Sequence, residues 1–324
     1  MSTYEQSGVN MTEGDRASAV AYGAAKATFI GRKGMIGEPV VSDGGFAGCL
    51  DMGDFFLVQN DDGVGSKEII AEAVGKFDTL GYDLLAMVID DGACVGAEVL
   101  TCSNTMDVKK VDAQRIGEMM EGLKNACLEH KVVIPGGEIA ELNTMVNHGI
   151  WNATSVGIVE KHKLITGEKV KVGDKVIALQ SAGFRSNGFS LVRHVLTKAL
   201  GEHAYLRPYS EDGSDGGHSK GILDKPGEKS WGEMVLTPSR IFYSLIMDLH
   251  GRFKQPSKVD LHGVTHITGG GLPGNLPRVL KAAGLGIHLD NLFPAHDMMK
   301  NYNAWETFRT KKPTKFGTWA TACA

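Results

Sequence analysis

The chain predicts an α/β (or α+β) fold in two domains, and three observations carry that expectation. Short apolar runs alternate with segments of helical periodicity along most of the length. Acidic and glycine-rich clusters collect where those apolar runs end, as in layered folds whose loops carry function. A charged, turn-rich stretch over 160–174, EKHKLITGEKVKVGD, then interrupts the pattern. It divides a first domain, 1–165, from a second, 170–324; the 324 residues, 42% hydrophobic, suffice for two cores.

Composition narrows the function classes. With 34 basic and 38 acidic residues the net charge is −4, and no dense basic block favours a nucleic acid. The late cluster Arg309, Lys311, Lys312 and Lys315 reads as a solvated tail. Five cysteines, an odd number without a C-x-x-C pair, argue against a zinc site or a disulfide framework. The polar, acidic opening MSTYEQSGVNMTEGD is unlike a signal peptide, and no uncharged apolar run nears the ~18 residues of a membrane span. A soluble, cytoplasmic protein is expected. The 42 glycines gather in clusters, which points to sharply turning or ligand-facing loops.

In the first domain, the alanine-rich stretch 15–29 predicts a helix, followed by a loop over 31–41. Phe55-Phe56-Leu57-Val58 predicts a short buried strand that opens into the loop Gln59-Asn60-Asp61-Asp62-Gly63-Val64-Gly65-Ser66-Lys67 and a helix over 67–76. Glycines at a helix start admit an anion close to the backbone. Paired acids there make sense if a divalent cation lies between them and a phosphate; an Asp-Gly turn before a capped helix is the simpler alternative. A helix over 82–97 contains a second acidic pair, Asp90 and Asp91, costly in an apolar helix unless partnered. A strand over 99–103 follows, then a helix capped by Asp112 and running to His130, with Met119, Met120 and Cys127 in the core. A strand over 132–134 leads into Pro135-Gly136-Gly137-Glu138-Ile139-Ala140-Glu141, and 154–159 predicts the last strand of this domain. The acids around Asp62, Asp91 and Glu138/Glu141 could converge on hard cations holding a polyphosphate.

In the second domain a strand over 175–179 precedes the polar loop 181–190, with Arg185, and a helix over 191–200, a second place for an anion. The polar stretch 201–231 reads as a loop or lid; its His203 and His218, like His162 at the boundary, receive no role. A helix over 241–250, a strand over 261–267 and the turn Thr268-Gly269-Gly270-Gly271 before a helix over 273–283 follow, the glycines being either a phosphate-facing turn or a packing turn.

Six motifs in order carry a resemblance over most of the chain. They are Asp62-Gly63-Val64-Gly65-Ser66-Lys67, the stretch from Asp78 to Met87, Asp91 with Gly96-Ala97-Glu98, Gly136-Gly137-Glu138-Ile139-Ala140-Glu141, the stretch from Ser186 to Arg193, and His266-Ile267-Thr268-Gly269-Gly270-Gly271 with Asn275 to Leu280. Together they resemble the aminoimidazole ribonucleotide synthetase (phosphoribosylformylglycinamidine cyclo-ligase) family. The resemblance implies a homodimer whose first domains build a shared barrel. It implies ATP and Mg2+, with K+ as a candidate monovalent ion. The cofactor-binding residues would be Asp62, Gly63, Val64, Gly65, Ser66, Lys67, Gly136, Gly137, Glu138 and Glu141. Asp62, Asp91 and Glu141 would hold metal, and Lys67, Asp91 and Arg185 are the catalytic candidates. Substrate phosphate would lie near Ser186, Asn187, Gly188, Ser190, Gly269, Gly270 and Gly271 in the second domain. The implied reaction phosphorylates the formyl oxygen of formylglycinamidine ribonucleotide, after which an internal amine closes the imidazole ring and phosphate leaves.

Four departures stand out. The family commonly has a histidine before Ser-Asn-Gly, where this chain has Arg185, and an arginine does not transfer protons near neutrality. The family's Glu-Met-Pro is Glu141-Leu142-Asn143, and a lysine of the first helix aligns with Tyr22, one turn from Lys26. The family's Thr-Phe-Asn-Met-Gly becomes Thr307-Phe308-Arg309, which leaves open a second domain without its last elements or a divergent subfamily. Two other readings compete: a related small-molecule kinase, such as thiamine-monophosphate kinase, and a non-catalytic nucleotide-binding relative. Selenophosphate synthetase fits less well, because no cysteine precedes Cys49.

Overall fold

The computed structural model describes residues 7–8, 10–40, 45–210, 229–306 and 320–323. Six strands of the first half, β1 (Glu38–Val40), β2 (Gly48–Asp51), β3 (Phe55–Gly63), β4 (Glu98–Val108), β5 (Gly137–Glu141) and β6 (Ile150–Glu160), form one mixed sheet. Across it they stand in the order β1-β2-β3-β6-β4-β5, antiparallel except for the β4–β5 pair at one edge. Alternation along β6 buries Trp151, Ala153, Ser155, Gly157 and Val159 and leaves the intervening residues more open, so one face is covered. The cover is α3 (Leu80–Cys94), which lies against β3, β4 and β6 and itself carries α4 (Ala113–His130). Of the residues of α3, only Tyr82 and Asp91 escape burial.

Asp112 caps α4 as expected, its carboxylate accepting from the backbone of Gln114 and Arg115 at 3.0 and 3.2 Å. Met119 and Cys127 are buried in the core. The turn that leads into α3 meets α4 so closely that a methyl group on Gly122 would land on the carbonyl oxygen of Asp78.

The acidic loop expected after Val58 is instead strand. β3 continues to Gly63, with Asp61 opposite Thr154 and Asp62 opposite Ala153. Pairing along a central strand outweighs the turn preference of Asn, Asp and Gly. The expected strand over 132–134 is reduced to a bridge between Val133 and Thr101, and Gly137–Glu141, read as its loop, is the strand that pairs. The expected loop over 31–41 contains β1.

The second half builds a three-stranded antiparallel sheet, β7 (Ile177–Gln180), β9 (Ala320–Cys323) and β8 (Val264–Thr265) in that order. Around it lie α5 (Phe189–Leu200), α6 (Trp231–Val235), α7 (Tyr243–His250), α8 (Gly271–Leu280) and α9 (Asp297–Glu306). Only 264–265 of the expected strand 261–267 pair as strand β8. Tyr302 packs on Phe184 at 5.1 Å between ring centroids, and Trp305 on Trp231 at 4.9 Å. Residues 320–323 supply the central strand of this sheet. The basic cluster from Arg309 to Lys315, and positions 211–228 of the expected lid, lie outside the described residues. The other helices are α1 (Met11–Ala27), where the Lys26 ammonium sits 4.8 Å from the Tyr22 ring centroid, and α2 (Lys67–Val74).

Because the Asp78 carbonyl is backbone and cannot swing aside, Gly122→Ala should destabilise the fold by about 1–3 kcal/mol, read as a lower urea midpoint at unchanged slope.

Candidate active site

Three carboxylates of α3 organise the region between the two sheets. Asp83 and Asp90 stand seven residues, two turns, apart and so share a face; both are buried. Asp83 pairs with the Lys67 ammonium at 2.6 Å and accepts from the Ser239 backbone at 2.9 Å and its hydroxyl at 2.6 Å. Asp90 accepts from the backbone N–H groups of Phe242 and Tyr243 at 3.0 and 2.9 Å, where α7 starts, and from the Arg185 guanidinium at 3.0 Å. Each acid thus ties α3 to the 239–243 segment and to one basic residue.

This arrangement corrects the role expected of Lys67. Its ammonium has no exposed surface, and its three donors go to Asp83 and to the carbonyls of Arg185 and Thr237, both at 3.0 Å. Burial pushes the lysine pKa down and the Asp83 charge opposes that shift. No donor is left for a nucleotide phosphate, so Lys67 joins the first motif to the second-domain loop. Ser66 sits beside the same loop, its hydroxyl 3.4 Å from that of Ser190.

Asp62 and Asp91 form the open part of the site. Strand alternation turns Asp62 toward the α3 side and Asp61 to the other face, where Thr154 donates to it. Burial raises the pKa of Asp62; the Gly63 N–H, donating at 2.7 Å, works against this, and the charge of Asp91 adds to it. Asp91 is 16% exposed and accepts from His266 Nδ1 at 2.8 Å. A cleft of about 390 Å³ lies along this stretch of sheet, lined by Asp61, Asp62, Gly63, Asn104, Thr105, Asn152 and Thr154; Asp91 is not among its lining residues. Val64 is buried, and Gly65 follows in a left-handed turn with φ 65°.

The third expected metal ligand does not join them. In register, Asp62 aligns through Ala153 and Asn104 with Gly137, and Glu141 lies four residues further along the edge strand. Strand spacing and rise put it roughly 20 Å from Asp62. Its carboxylate accepts from the Val111 backbone at 2.7 Å, and Glu138 and Gly136 are exposed on the same edge segment or just before it. No group of three His, Cys, Asp or Glu side chains suited to a metal occurs among the described residues. Asp62, its pKa raised chiefly by burial and further by the charge of Asp91, and Asp91 itself could hold a cation completed by phosphate oxygens rather than a cage made by protein alone.

The Ser186–Ser190 loop faces the same region. Ser186 donates to the Asp83 carbonyl at 3.2 Å, and the Asn187 Oδ1 is buried without a partner. Gly188, with φ 81°, begins α5. The glycine turn ahead of α8 begins two residues after His266; Gly270 has φ 91°, and Asn275 donates to the carbonyls of Gly269 and Gly271 at 3.2 and 2.9 Å.

Sequence reasoning gave no separate role to His266 or Asp83. Both lay inside the ordered motifs, but only the fold reveals their partners, 175 and 16 positions away respectively. Arg185, read as a catalytic candidate, is buried and bonded to Asp90, to the Arg240 carbonyl at 2.9 Å and to His266 Nε2 at 2.6 Å.

Residues 44–159 match the family model for the N-terminal domain of AIR synthase related proteins, and 245–313 match that for the C-terminal domain. Sheet, spine helix and converging loops are therefore those of an AIR synthase related protein. The phosphoribosylformylglycinamidine cyclo-ligase of Thermococcus kodakarensis is 36% identical over 315 residues, covering 94% of this chain and 86% of that one. The enzyme of that name from Pyrococcus furiosus is 38% identical over 280 residues, covering 86% and 75%. The chain belongs to the phosphoribosylformylglycinamidine cyclo-ligase family. Among solved structures, a HypE–HypF complex chain superposes with TM-score 0.56 at 14% identity, covering 86% of this chain and 77% of its own. Thiamine-monophosphate kinase from Stenotrophomonas maltophilia K279a gives 0.50 at 13%, covering 92% and 83%. At those identities the likeness concerns the fold alone.

Above its raised pKa, Asp62 is charged in the folded chain at a cost that the unfolded chain does not bear. Asp62→Asn should therefore raise the melting temperature of ligand-free protein at neutral pH. The gain should shrink as pH falls through the raised pKa toward the ordinary value near 3.8. A gain that stays constant with pH would contradict this origin.

Proposed function

We infer that this chain closes the imidazole ring of aminoimidazole ribonucleotide, using ATP to activate the formyl oxygen of formylglycinamidine ribonucleotide. The reading rests on one observation: the motif that carries Asp62 meets the Ser186–Ser190 loop, Ser66 against Ser190, in a chain whose cyclo-ligase relatives it matches over 86% and 75% of their length. Magnesium held by Asp62 and Asp91 would neutralise phosphate charge. Asn187, Ser190 and the Gly269–Gly271 turn would hold the substrate and its phosphate, with the buried Asn187 Oδ1 available to a donor. Since the ring-closing amine belongs to the substrate, positioning it against the activated carbon is most of the protein's task. Lys67 and Arg185 serve that task by joining the two halves of the site rather than by touching phosphate. No helix among the described residues is long and apolar enough to cross a membrane, and a cytoplasmic enzyme goes with this reading.

The same reading pairs two copies through the open face of the first sheet, where Leu50, Leu57 and Ile158 stand side by side on adjacent strands. Light scattering should give twice the 34.7 kDa chain mass; a monomer at micromolar concentration would count against a shared barrel.

The deciding assay supplies formylglycinamidine ribonucleotide, ATP, Mg2+ and K+ and follows ADP and the imidazole product together. Equal release of both is expected. ADP without imidazole would point to another acceptor, and neither product would sink the reading.

A further inference from the structure

Arg185 stands where the family commonly has histidine, and its surroundings give it a definite task. A guanidinium only donates, so the 2.6 Å contact from Arg185 requires His266 Nε2 to be the lone-pair nitrogen. The ring proton then lies on Nδ1 and is donated to Asp91 Oδ1 at 2.8 Å. Among the described residues the other Asp91 oxygen accepts no hydrogen bond, which leaves it to a ligand. The same guanidinium nitrogen reaches Asp90 Oδ2 at 3.0 Å, and the Arg240 carbonyl takes another donor at 2.9 Å. Arg185 holds φ at 58°, an uncommon conformation for a residue with a side chain, so these contacts keep it in place against a local backbone cost.

We propose that Arg185 is a positioning residue for the metal–nucleotide site: paired with Asp90, it fixes the tautomer and orientation of His266, and His266 in turn fixes Asp91. A second-domain side chain thereby sets the aim of a first-domain carboxylate. The exchange of histidine for arginine works here because Asp90 supplies a carboxylate within the same buried space. Either member alone would be a buried charge without its partner, whereas a neutral imidazole beside a neutral amide would need none. This proposal rests on the ATP-dependent reading of the site.

The test is a double-mutant cycle of Arg185→His and Asp90→Asn, read by calorimetric binding of magnesium–ATP, by melting temperature, and by KM for ATP against kcat. Each single change should weaken magnesium–ATP binding by about tenfold or more, and the double variant should return to within about threefold of wild type. His266→Leu, which leaves the ion pair intact, should reproduce the binding loss. His266→Asn keeps a donor in the place of Nδ1 and should recover most of it. Losses that simply add in the double variant, or folded single variants and a His266→Leu protein that bind magnesium–ATP as wild type does, would overturn the proposal. Wild-type protein that binds no magnesium–ATP would overturn the nucleotide reading as well, and so separates the two failures. If a single variant does not fold, the double variant and the two His266 variants still decide.

Discussion

Two carboxylates buried on one helix face set the terms for the rest of the molecule. A charged Asp83 or Asp90 without partners would cost more than the net stability of most domains can absorb. Each therefore draws in a basic residue and a pair of donors from the 239–243 segment. The helix that carries them also lies on the first sheet and touches α7 and β8. Satisfying two acids thus docks the second half of the chain on the first, and does so at the place where the open carboxylates Asp62 and Asp91 emerge. Structure and site share one set of contacts.

The sheet then sorts the remaining acids by geometry. Adjacent residues of a strand face opposite sides, so Asp61 and Asp62 cannot act as one ligand pair. Asp62 finds its companion in Asp91, on another element, and the neighbouring charge helps to raise its pKa. Glu141, which looks equivalent in sequence, is removed by its position along the edge strand β5. What remains is a two-carboxylate site that suits a cation brought in with phosphate.

Lys67 and Arg185 show why residue type alone misleads about role. Both are cations within motifs that suggest anion binding, yet each spends its donors on buried carboxylates and backbone carbonyls. They hold the two halves of the site in register, which matters for a reaction whose nucleophile lies within the substrate. Arg185 adds a directional element through His266 and Asp91.

The sequence by itself determined the family, the alternation of strands and helices, the Asp112 cap and the core methionine and cysteine of α4, because these depend on local periodicity, capping and ordered motifs. It also singled out Asp62, Asp91 and the Ser186–Ser190 loop as candidates. Only the tertiary structure decided that β3 runs through the acids, that β5 rather than 132–134 forms the edge strand, that Glu141 stands apart and that His266 belongs to the site. Each of these depends on pairing or burial between residues distant along the chain. A carboxylate's role is set by what desolvates it and what it bonds, and those neighbours are chosen by the fold.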